Sequence, residues 1–169
     1  MEYLLIDGYN IINSWSDIFC PEREPLEDCR DRLVNILSNY QGYRKINVIV
    51  VFDGHLVKGS REKKEAFDNL TVIYTKENET ADNYIERFVH KYGATYKIRV
   101  ATSDYLEQTT IFRKGGIRVS ARELRQEIDA FNKNGEKVFN RHDRKTNSLI
   151  ANVKPELLDK LEKMRRNKF

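Results

Sequence analysis

Four aspartates stand at or just beyond the ends of apolar runs in this chain. Asp7 ends YLLID, Asp53 ends INVIVVFD, and Asp104 ends KIRVATSD, while Asp82 lies in the first turn of the helical pattern that follows LTVIYT. Taken singly, each is a residue that turns and helix starts favour. Delivered to one place, they would do chemistry. Two unit charges about 4 Å apart cost roughly 4 kcal/mol at an effective dielectric near 20. Converging carboxylates therefore take up protons or bind a cation. Oxygen donors without nearby Cys or His suit Mg²⁺ or Mn²⁺ rather than zinc. Such an ion lowers the pKa of an attacking water and offsets charge on a leaving oxygen, as phosphodiester hydrolysis requires.

Other residues have types suited to assist. Asn10, three residues past Asp7, offers an uncharged hydrogen bond to a carboxylate or phosphate. Glu79 and Asp82 are three apart and Glu86 four further on, so a helix there would put these acids on one side. Thr102 and Ser103 offer hydroxyls, and Ser103 equally suits a helix N-cap. Competing chemistries lack their signatures: there is no GxxxxGK[ST], no GxSxG, and His55, His90 and His142 have no zinc-ligand spacing.

These residues need a scaffold that brings distant segments to one edge. Strand-like runs cover Tyr3–Asp7, Ile46–Asp53, Leu70–Thr75 and Lys97–Asp104, with a short fifth at Gly116–Ser120. Helical spacing links Leu26, Cys29, Leu33, Ile36, Leu37 and Tyr40, then Ala81, Ile85, Phe88 and Tyr92. A capping box, Ser120 with Glu123, precedes Leu124, Ile128 and Phe131. Alternation of strand and helix predicts an α/β fold with a mostly parallel sheet of about five strands flanked by helices. In such a sheet every parallel strand ends along one edge, where open α/β sheets bind ligands. The polar link between Asp53 and Leu70 reads as a mobile loop or one short helix.

The chain has 169 residues, enough for one sizeable core. Its charge is divided: 14 Lys and Arg face 18 Asp and Glu in residues 1–112, against 16 and 8 in residues 113–169. The expected organisation is a domain over 1–132 and a basic extension over 133–169, with a short helix after Pro155. No apolar run approaches the roughly 20 residues of a membrane span. The start of the chain has no signal-peptide pattern, and Cys20 and Cys29 read as reduced thiols, so the expected location is cytoplasmic. Lys58, Arg61, Lys63 and Lys64, with Arg113, Lys114, Arg118, Arg122 and Arg125, are candidate RNA-binding residues by charge. Tyr9, Trp15 and Tyr105 suit either base stacking or the core.

The segments LLIDGYNII, VIVVFDGH, TKENETADNYIE and VATSDYLEQ, in this order and spacing, resemble the NYN branch of the PIN-like ribonucleases, and more narrowly the bacterial YacP-like group. The resemblance covers nearly the whole chain. It implies a PIN-like three-layer fold and a metal-binding acidic pocket that cleaves RNA internally, with Asp7, Asp82 and Asp104 as core acids and Asn10 and Asp53 beside them. It also implies mRNA as substrate and the ribosome as partner. The combined expectation is a Mg²⁺- or Mn²⁺-dependent endoribonuclease of single-stranded RNA, using a metal-activated water. Asp7, Asp82 and Asp104 would ligate metal, Asp53 and Glu79 would complete or tune the cluster, and Asn10 would orient a ligand. The alternative is a non-catalytic RNA- or ribosome-binding factor that retains the pocket.

Overall fold

Glu2–Asp7 forms strand β1, whose side chains alternate between two apolar layers. Leu4 and Ile6 point to one layer and Leu5 to the other, because successive residues of a strand face opposite sides. All six residues are apolar or at the strand ends, as expected of a strand covered on both faces. The computed structural model describes residues 1–54, 63–67, 70–76, 78–103 and 115–133.

After β1 come helices α1 (Gly8–Ser14) and α2 (Leu26–Arg44), then β2 (Asn47–Phe52), β3 (Lys63–Phe67) and β4 (Leu70–Tyr74). Helix α3 (Ala81–Tyr92), β5 (Lys97–Ala101), β6 (Ile117–Val119) and a helix α4 over residues 121–133 complete the described elements. The sheet order is β3-β4-β2-β1-β5-β6, and every pairing is parallel except β3 with β4. The sixth strand, β3, lies in the link read from sequence as a loop or short helix. Its pattern KKEAF is too polar to read as a strand, and an edge position tolerates that composition.

Helices cover both faces. Cys29, Leu33 and Leu37 of α2, Ile11 and Ile12 of α1, and Leu124 and Ile128 of α4 pack on Leu4, Ile6, Val50 and Val72. Ala81, Ile85 and Val89 of α3 pack on Leu5, Val51 and Val100. Cys29 is buried and Cys20 exposed, both as free thiols. The Ser120–Glu123 capping box forms, with the Ser120 amide 2.7 Å from Glu123 Oε2 and the Glu123 amide 3.1 Å from Ser120 Oγ. The chain divides into two compact units, Met1–Ile128 and Asp129–Phe169. The expected terminal helix lies outside the described residues, and among those described no helix is long and apolar enough to cross a membrane.

One charged knot joins three elements, a strand and two helices that cover the same face of the sheet. Arg99 of β5 pairs through both Nη atoms with Glu127 of α4, and the Tyr40 hydroxyl of α2 donates to Glu127 Oε2 at 2.6 Å. Burial pushes the Glu127 carboxyl up, but hydrogen bonds from Arg99 and Tyr40 and the nearby arginine charges outweigh it, leaving the group below its ordinary pKa. Stabilisation from a carboxyl depressed in this way is complete above its unfolded-state pKa and is lost as pH falls through the folded one. Glu127→Gln is expected to destabilise the protein by about 2 kcal/mol at neutral pH. Urea titrations of both proteins at neutral pH, and again below the carboxyl range, should show that gap closing in acid.

Candidate active site at the carboxyl edge of the sheet

The register of the parallel strands sets the site. Asp7 lies opposite Val51, and Val51 opposite Ile73. Asp53 and Thr75 each follow two residues later, so alternation puts them on the α3 side with Asp7. Ile6 lies opposite Ala101, which makes Thr102 the next neighbour of Asp7. Strand order reverses here: the chain steps from β1 to β2 to β4 on one side, and α3 carries it back to β5 on the other side of β1. Asp7 and Thr102 flank that switch point, the place where open α/β sheets form a binding crevice.

The start of α3 is tied to the end of β2. The Ala81 amide donates to Asp53 Oδ1 at 2.6 Å, and Thr80 caps the helix by accepting from the Asn83 amide at 3.2 Å. Thr75, fully buried, accepts from the Gly54 amide at 2.9 Å and donates to the Glu79 carbonyl. These bonds hold the first turn of α3, and with it Asp82, at the carboxyl edge. The positive end of the helix dipole favours carboxylates there. Glu79 precedes the helix rather than sharing a helical face with Asp82, and its carboxylate pairs with Arg87. Thr75 is the site residue that sequence reasoning missed; its signal was a hydroxyl at the end of an otherwise apolar strand.

On the other side of the crevice, Asp7 is 9% exposed and caps α1, its Oδ1 accepting from the Asn10 amide at 3.1 Å. Of the turn and the helix start that an aspartate at a strand end suits, Asp7 makes the helix start. Asn10 turns its side-chain oxygen to the end of β5: Oδ1 accepts from the Ser103 amide at 2.7 Å and from the Ser103 hydroxyl. Ser14 Oγ lies 2.7 Å from the Asn10 carbonyl and 2.8 Å from Ser103 Oγ. The start of α1 is thereby clamped to the end of β5. Gly8 is required at the junction, because a Cβ there would lie 2.2 Å from the Phe52 ring.

Asp104, Lys58, Arg61, Arg113 and Lys114 lie outside the described residues, as does Tyr105. Arg118 and Arg122 are exposed. Lys63 pairs with Glu65, while Lys64 points to the opposite face of β3. Arg125 lies over the Trp15 ring and 3.1 Å from Asp17. Tyr9 and Trp15 are core residues: Tyr9 is 8% exposed, and Trp15 donates from Nε1 to the Ala121 carbonyl at 2.9 Å. Among the described residues no three His, Cys, Asp or Glu gather as a metal-holding group. Two of the three expected ligands, Asp7 and Asp82, are described, and both offer the oxygen donors that a hard divalent cation takes.

A family model described as the YacP-like NYN domain matches residues 4–166. The chain is 47% identical over 130 residues to the uncharacterized protein YacP of Bacillus subtilis (strain 168), covering 76% of each sequence. It is similar to the crystal structure of Rae1 (YacP) from Bacillus subtilis, with a TM-score of 0.72 and 40% identity over 99% of this chain and 96% of that one. A crystal structure of a single-substitution mutant of that protein matches with a TM-score of 0.64 and 37% identity, over 90% and 86% of the two chains.

Thr75→Val tests the tie beneath α3. The substitution keeps shape and removes one buried hydroxyl that both accepts and donates, so chemical denaturation should show a loss of about 2 kcal/mol. Unchanged stability would mean the tie is dispensable.

Proposed function

The chain belongs to the YacP-like NYN family, a family of nucleases, and from that premise we propose that it is a divalent-metal-dependent endoribonuclease of single-stranded mRNA. The observation that carries the reading is the hydrogen bond from the Ala81 amide to Asp53, which draws the Asp82-bearing turn of α3 to the edge where β1 ends in Asp7. Acids from three distant parts of the chain thus share one sheet edge beside the switch point.

In this reading Asp7 and Asp82, with Asp104, hold Mg²⁺ or Mn²⁺. When bound, the ion supplies a lowered water pKa and neutralises charge on the leaving oxygen. The chain's own residues position. Asp53 fixes the first turn of α3, Asn10 fixes the residue before Asp104, and Glu79, held by Arg87, steadies the approach to the helix. Exposed Lys64, Arg118 and Arg122 offset phosphate charge along the RNA. The resemblance to the YacP-like group extends the proposal to a cytoplasmic protein whose partner, the ribosome, presents the mRNA.

The test is cleavage of a translated mRNA in a purified translation mixture containing Mg²⁺. Wild type should make an internal cut that chelation of the metal abolishes. Asp7→Asn should reduce cutting by about a hundredfold or more, since metal coordination supplies several kcal/mol to the transition state. Omitting ribosomes locates the dependence on them. No cut from either protein, with equal ribosome binding by both, would replace this reading with the non-catalytic binding factor.

A further inference from the structure

Three arginines among the described residues are partly buried: Arg30, Arg99 and Arg125. Arg99 pairs with Glu127 and Arg125 with Asp17, but Arg30 of α2 pairs with no described carboxylate. Instead its Nη1 donates to the Tyr9 hydroxyl at 2.9 Å, and its guanidinium lies 6.0 Å from the centre of the Tyr74 ring. Glu27, one turn back, acts on it only as a weaker, longer-range charge. Burial of a guanidinium is costly without a counter-charge, and a neutral phenol satisfies one of its five N–H donors. Among the described residues no carboxylate takes the fork, which can accept an anion.

The position suits a phosphate of the nuclease substrate. Tyr9 follows Asp7 by two residues, and Tyr74 ends β4 at the same carboxyl edge, beside Phe52 at the end of β2. Ring centres 5.1 Å apart for Tyr9–Phe52 and 5.7 Å for Phe52–Tyr74 make the seat continuous. These residues lie on the α2 face of the sheet, whereas Asp7, Asp53 and Thr75 lie on the α3 face. Across from Tyr74, Lys63 adds a second positive charge, shared with Glu65. An RNA strand lying over the edge would therefore meet acids on one face and a planar, bidentate-capable cation on the other. Arginine matches phosphate through two parallel N–H···O bonds.

We propose that Arg30, seated on Tyr9 and Tyr74, binds a phosphodiester flanking the one that is cleaved. This subsite rests on the endoribonuclease reading and deepens it by assigning where the strand leaves the acidic edge. Arg30 is a substrate-binding residue, distinct from the acids.

The experiment measures fluorescence anisotropy of a labelled single-stranded oligoribonucleotide across a salt series, with every protein carrying Asp7→Asn so that the RNA stays whole. Adding Arg30→Gln should weaken binding about tenfold and lower the slope of log affinity against log salt by about 0.7, the loss of one single-strand phosphate contact. Arg30→Lys should keep the slope and bind several-fold more weakly, because it keeps the charge without the fork. Arg32→Gln, on the same helix but engaged with Glu24, should change neither quantity. Should Arg30→Gln lower the melting temperature, the Lys variant decides: unchanged affinity there overturns the subsite. Unchanged affinity and slope in a stable Arg30→Gln protein also overturn it, as does an absence of RNA binding by the parent at low salt. Cleavage by the chain with Asp7 intact is read separately, on a translated mRNA in the mixture that contains ribosomes. Arg30-dependent binding without cleavage overturns the nuclease reading alone, and cleavage with Arg30-independent binding overturns the subsite alone.

Discussion

The contact on which the carboxyl edge depends is the hydrogen bond between the Ala81 amide and the Asp53 carboxylate. A helix start has amides with no partner inside the helix, and here one is satisfied from the end of a neighbouring strand. The bond is charge-assisted, and it lies along the helix dipole. Its effect is geometric. The crossover from β4 to β5 could dock α3 over the sheet in several axial positions, and this bond, with the Thr75 hydroxyl beneath it, selects one. Asp82 is then carried by a helix whose start is pinned to the sheet itself.

A second set of bonds does the same on the far side of the crevice. Asp7 caps α1, Asn10 reaches from α1 to Ser103, and Gly8 permits α1 to approach Phe52 more closely than any side chain would allow. The acids of this edge thus have structural duties beside the chemical ones proposed for them. Asp7 and Asp53 each accept a backbone hydrogen bond through one oxygen. The two explanations that the sequence offered for an aspartate at a strand end, turn chemistry and a functional carboxylate, are not exclusive in this fold.

Much of this was legible beforehand, for definite reasons. The parallel strands are covered on both faces, so INVIVVF reads as a continuous apolar run, and α3 reads as a stripe at Ala81, Ile85, Phe88 and Tyr92, of which the structure buries the first two together with Val89. The Ser120–Glu123 cap is local and follows from spacing alone. What escaped was non-local. Nothing in KKEAF announces a strand, because β3 exists by virtue of the β4 edge that it covers. The span from Gly8 to Ser14 is too short to show helical periodicity. Asn10 and Glu79 have side chains suited to a ligand, but their partners are Ser103, which lies 93 residues away, and Arg87, and no sequence window contains the first pair. Arg30 shows the same limit from the other direction: an arginine on a helix looks solvated until the tyrosines of α1 and β4 are brought beneath it.

The edge strand has a further consequence. Among the described residues β3 is the last strand on one side of the sheet, five residues long, and its outer backbone groups face away from β4. Phe67 at its end is 50% exposed. An exposed strand edge is a template onto which another chain can add. Lys63 and Lys64 put positive charge on both faces of that strand, and a second copy adding there parallel and in register would set each lysine against its own copy. The same lysines that are proposed to meet a polyanion therefore also disfavour self-association, so solubility and the proposed contact with RNA would draw on one pair of side chains.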